Sequence, residues 1–73
     1  MELRTDESAR LAAFEAMLAD VERQYRETEA QMADLKARGR ERSATYRQLL
    51  GSKLTLRQIL SLYESHGLRK ENP

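Results

Sequence analysis

Between Leu11 and Leu35 the large side chains fall at Leu11, Phe14, Leu18, Val21, Tyr25, Thr28, Met32 and Leu35, in alternating steps of three and four. That is a heptad seam, with a at 11, 18, 25 and 32 and d at 14, 21, 28 and 35. Thr28 is its one polar member. Neither proline nor glycine interrupts the chain before Gly39, and alanine, glutamate, glutamine and arginine dominate around the seam. All four favour a helix. The pattern predicts a first helix over about residues 6–38, with Thr5, Asp6 or Ser8 as its cap and a length of roughly 45 Å. Gly39 is placed to end it in a left-handed conformation, after Lys36 and Arg38 in the last turn.

The second half of the chain is shorter and its pattern is less regular. A polar connection over residues 39–44 leads to Thr45-Tyr46-Arg47-Gln48, a capping box, and a second box follows at Thr55-Leu56-Arg57-Gln58. Gly51 and Ser52 lie between them. This predicts helices over about 46–50 and 56–66 with a break near Gly51; one helix continuing through Gly51 is the alternative. Leu56, Ile59, Leu60 and Tyr63 follow the i, i+3, i+4, i+7 spacing, with Leu49, Leu50, Leu54 and Leu62 nearby. Gly67 and Leu68 suit a Schellman ending that brings Leu68 back onto Tyr63. Residues 69–73 are expected to form a disordered tail.

The expected fold is therefore all-α: a helical hairpin with one long helix and a shorter, broken returning helix. Even fully helical, the returning segment covers only about 33 Å. The start of helix 1 projects past it, and Leu11, Phe14 and Leu18 need another cover. Two or more hairpins burying them give a homo-oligomeric helical bundle or coiled coil, a dimer or a tetramer. The expected oligomer interface is Leu11, Phe14, Leu18, Val21 and Tyr25, while Thr28, Met32 and Leu35 face the chain's own returning helices. Ala9, Ala12, Ala16, Ala19, Ala30, Ala33 and Ala37 line the back of the seam. They read as a solvated helical face, or as a second close-packing surface that would suit a tetramer.

Length strengthens the case for assembly. Seventy-three residues form one small domain, 1–73, and at this size a single core rarely supplies more than about 3–5 kcal/mol. With no cysteine and one histidine, His66, the chain has no disulfide, thiolate or multi-histidine site to staple it. No metal and no cofactor are expected. No apolar run is long enough to span a bilayer, and the first twenty residues carry seven charged side chains, unlike a secretory signal. The expectation is a cytoplasmic protein with no membrane association.

Charge is unevenly spread. Residues 1–34 hold nine acidic and four basic side chains, net −5, and residues 35–73 hold nine basic and three acidic ones, net +6. The halves can attract each other within or between chains, or the second can present a basic surface to nucleic acid. Glu15, Glu22 and Glu29 occupy successive e positions. A di-metal bundle site would add a Glu-x-x-His motif, absent here, so the row reads as a pairing edge. A parallel homodimer sets it against Arg10, Met17 and Gln24 without repulsion, and an antiparallel one sets acid against acid. Alternatively, Arg47, Lys53 and Arg57 of the same chain lie along it.

Lys36, Arg38, Arg40, Arg42 and Arg47 form the basic run around the connection, the best candidate for phosphate contact. A helix-turn-helix centred on Gly51 fails at Arg47, Ser52 and Arg57, where small or apolar residues are needed. Tyr25 and Tyr63 sit on apolar stripes, leaving Tyr46 as the one tyrosine suited to an exposed role. His66 belongs to a helix end, where the dipole favours its charge. No nucleophile, base and oxyanion donors can be assembled into a catalytic set. The favoured function is thus a non-enzymatic oligomeric interaction or regulatory module for an unidentified protein partner. The alternative is a small nucleic-acid-binding regulator using the basic connection.

Overall fold

A computed structural model describes residues 3–69, with side chains from residue 6 onward. Its two helices are α1, Leu3–Ala37, and α2, Ala44–Ser65. They pack against each other as an antiparallel hairpin: Glu29 of α1 pairs with Lys53, while the earlier Glu22 pairs with the later Arg69. The molecule is 55 Å long and 14 Å across its thinnest direction.

Both helices end in full Schellman motifs. Gly39 adopts φ +73°, the Gly39 amide donates to the Lys36 carbonyl at 2.9 Å, and the Arg40 amide donates to the Leu35 carbonyl at 2.8 Å. At the second end Gly67 adopts φ +74°, and the amides of Gly67 and Leu68 donate to the carbonyls of Glu64 and Tyr63. The paired bonds satisfy carbonyls that a helix end leaves open, and only glycine takes the left-handed position without a steric cost.

The start of α2 differs from the expectation. Ser43, not Thr45, is the N-cap: it has extended backbone, and its hydroxyl accepts from the Tyr46 amide at 3.1 Å. Thr45 lies inside the first turn. The expected break near Gly51 is absent, and helices at 46–50 and 56–66 are replaced by one. The Thr55 hydroxyl donates to the Gly51 carbonyl at 3.1 Å, a bond back along a continuing helix rather than a cap. Gly51 is tolerated because a lone glycine costs a helix only about 1 kcal/mol, less than packing of the 22-residue helix supplies. The expected start of helix 1 near Asp6 moves to Leu3.

The core is the shared seam. Val21, Met32 and Leu60 are buried, together with the Thr28 side chain. Leu18, Tyr25 and Leu35 of α1 and Tyr46, Leu49, Lys53, Leu56, Ile59 and Tyr63 of α2 are half-buried around them. On α2 the positions 46, 49, 53, 56, 60 and 63 repeat the three-four alternation of α1, with Lys53 standing in an apolar column. None of the described side chains is wholly buried, as a two-helix layer requires.

The glycines give a direct test of this backbone. A Cβ at Gly51 meets nothing within 4 Å, so Gly51→Ala is expected to stabilise the protein by about 0.5–1 kcal/mol. Gly39→Ala has the same free space but a left-handed backbone, and it is expected to destabilise by about 1–2 kcal/mol. Urea unfolding of both variants measures this. A loss of stability for Gly51→Ala would contradict the continuous helix.

Candidate interaction surfaces

Three surfaces arise from the unequal helices. The first is the overhang, the part of α1 before the point that the end of α2 reaches. That point is marked by Arg69, whose guanidinium Nε donates to Glu22 at 2.8 Å and which also binds Glu64. Before it the seam continues without cover: Leu11 is 57% exposed, Phe14 52% and Met17 50%. Leu18 is half-buried at the boundary. Leu68, also exposed, precedes Arg69 and so sits at the same end of the hairpin. Of the expected interface residues, Leu11 and Phe14 are thus free and Leu18 is partly covered. Val21 and Tyr25 are packed into the chain's own hairpin, because Arg69 carries the returning segment as far as Glu22.

The second surface is the charged flank between the helices. Glu22 and Glu29, from the e row of α1, are paired with Arg69 and Lys53. Lys53 Nζ stands 3.4 Å from Glu29 and 5.9 Å from the centre of the Tyr25 ring, within cation–π range. Of the three basic residues expected along the acidic edge, Lys53 occupies it in an ion pair. Arg47 and Arg57 are exposed. Glu15, the third of the row, lies on the overhang and is exposed. Arg69, expected in the tail, is instead an inter-helix clamp; the rest of the expected tail, 70–73, lies outside the described residues. The two carboxylates hold the Arg69 guanidinium above its ordinary pKa, the hydrogen bond to Glu22 being the larger cause. The sequence signal was the Schellman motif itself, which reverses the chain after Gly67 and throws the next residues towards α1.

The opposite flank is an open groove of about 890 Å³ lined by Gln24, Glu27, Thr28, Gln31, Gln48, Gly51, Ser52, Thr55 and Leu56. Amides and hydroxyls dominate it.

The third surface is the basic connection. Lys36, Arg38, Arg40, Arg42 and Arg47 are all exposed. Arg38 pairs with Asp34 one turn back, which raises its pKa. Lys36, Arg40, Arg42 and Arg47 make no ion pair among the described residues. Tyr46 is half-buried on the α2 seam rather than presented beside them. His66 is the C-cap of α2, its amide donating to the carbonyl of Leu62 at 3.2 Å. Among the described residues no three His, Cys, Asp or Glu side chains converge as a metal site requires, and no helix is long and apolar enough to cross a membrane.

Comparison with known proteins adds no relative: no family model, no curated protein and no solved structure matches this chain.

The Arg69 clamp is partly shielded, its side chain retaining 19% exposure against 31% for Glu22. Arg69→Ala is expected to cost about 1 kcal/mol in urea unfolding and to leave helix content unchanged. A cost near zero would assign Arg69 to the tail after all.

Proposed function

We propose that this protein is a small non-enzymatic helical module that self-associates through its overhang, as a dimer or tetramer, and in that form scaffolds or regulates a protein partner in the cytoplasm. One observation carries the reading. Among the described residues three large apolar side chains are buried in the hairpin, while seven stay exposed: Leu11, Phe14, Met17, Leu50, Leu54, Leu62 and Leu68. A soluble chain this short gains most by burying such residues against another surface. Leu11, Phe14, Met17 and Leu18 lie together on one face over two turns, a continuation of the seam that already packs well against a helix. The offered surface is therefore helix-binding in shape and spacing.

A second reading is supported by the exposed cations around the connection. Lys36, Arg40, Arg42 and Arg47 lack carboxylate partners among the described residues and crowd one tip of the molecule. Such a tip suits phosphate contacts that neutralise charge and release counterions, so binding would fall steeply with salt.

Sedimentation at micromolar concentration is expected to show a species larger than the monomer. Phe14→Asp is expected to weaken association by about 30-fold, the equivalent of about 2 kcal/mol for a central aromatic contact, while circular dichroism stays helical. A helical, monomeric wild-type chain would sink the self-association reading. Titration of the wild-type chain with duplex and single-stranded nucleic acid at low salt tests the second reading, and absence of binding there removes it.

A further inference from the structure

We infer that the overhang of one chain docks on the charged flank of a second copy, over Leu50 and Leu54 and between Arg47 and Arg57, in an antiparallel and reciprocal dimer. This rests on the self-association reading above and adds the partner surface and the orientation.

The observations are two exposed surfaces that complement each other. On the overhang, the described residues 6–20 carry Asp6, Glu7, Glu15 and Asp20 against the single base Arg10, net −3, around an apolar face of Leu11, Phe14 and Met17. On α2, positions 47, 50, 54 and 57 follow the i, i+3, i+7, i+10 spacing of one helical stripe. They are Arg47, Leu50, Leu54 and Arg57, all exposed. The stripe borders the flank where Lys53 meets Glu29, and Lys36 of α1 stands exposed near the same end. An apolar strip edged with acid therefore has a counterpart in an apolar strip edged with base. Neither basic residue of the stripe has a carboxylate partner among the described residues.

The dimensions agree. The overhang from Leu3 to Met17 runs about 22 Å, and Arg47 to Arg57 spans about 15 Å. In an antiparallel pair the overhang of each chain falls beside the connection end of the other. Both acidic ends then meet basic ends, and each chain gives and receives the same contact, as two-fold symmetry requires. Each end becomes a three-helix layer, and the dimer need be little longer than α1 alone. Overhangs paired end to end would leave Leu50 and Leu54 exposed and would not use the basic stripe. A parallel pair joined seam to seam avoids like charges along the e row, but it sets overhang beside overhang and stripe beside stripe, so neither charged strip meets its complement.

The experiment is a charge swap read by sedimentation, with circular dichroism confirming that each variant is helical. Arg47→Glu/Arg57→Glu and Glu7→Lys/Glu15→Lys are each expected to weaken dimerisation at least about tenfold, and an equimolar mixture of the two is expected to restore it as a heterodimer. Leu50→Gln/Leu54→Gln, at positions already exposed, is expected to weaken the dimer without a charge change. Raising salt from about 50 mM to about 500 mM should weaken the wild-type dimer and not the apolar component. If the wild type dimerises and these variants dimerise equally well, the flank is not the partner, although self-association stands. If both charge variants fail and their mixture stays monomeric, the complementarity is wrong. A monomeric wild type would remove the inference together with the reading beneath it, leaving the overhang to a different protein and the arginines to nucleic acid.

Discussion

Two helices share one seam but not one length, and the rest of the molecule follows from that mismatch. α1 has 35 residues and α2 has 22, while the heptad seam of α1 begins at Leu11, well before the level at which α2 ends. Where the two overlap, the seam forms the core of the hairpin: Val21, Thr28 and Met32 opposite Leu60 and its half-buried neighbours. Where they do not, the same periodicity leaves Leu11, Phe14 and Met17 in water. Exposed apolar area of this kind is costly at about 25 cal/mol per Å², and the overhang is where much of it is concentrated.

Electrostatics fixes how the hairpin closes. Ion pairs within α1, such as Arg23 with Asp20 and Glu27, are exposed and local, and solvent screens them. The inter-helix pairs of Lys53 with Glu29 and Arg69 with Glu22 matter differently. They tie residues far apart in sequence and choose one flank of the seam for charge, leaving the amide-lined groove on the other. A hairpin with inter-helix ion pairs on one flank and a groove lined mainly by amides and hydroxyls on the other has a handed surface, and a second helix meeting it finds two unlike sides. This asymmetry is what makes a single docking orientation conceivable for the overhang of another copy.

Thr28, buried as a residue, fits the same picture. It is the smallest side chain on the α1 seam, and it lies opposite the stretch of α2 around Gly51 to Leu56. No buried polar side-chain atom lacks a hydrogen-bond partner among the described residues, and Thr28 itself borders the open groove.

The two helices, their antiparallel return and both glycine endings were legible in the sequence, because periodicity and the left-handed requirement at Gly39 and Gly67 are local properties. So was the overhang, which follows from counting residues on either side of a turn. The break expected at Gly51 was not real: two capping-box patterns signal local preference, and a helix whose whole face packs on a partner overrides that preference. The position of Lys53 in the α2 seam was hidden because a charged residue interrupts the apolar alternation that reveals such seams. Arg69 looked like tail because its role depends on the direction the chain takes after a reversal, which only the packed pair of helices sets. Likewise, Val21 lies in the chain's own core with Tyr25 half-buried beside it, because α2 and the Arg69 clamp reach Glu22. Local pattern was enough for the long first helix, the helical character of the return and the existence of an uncovered apolar end. The tertiary structure decided where that end begins, since burial depends on which surfaces meet and not on the pattern of either one alone.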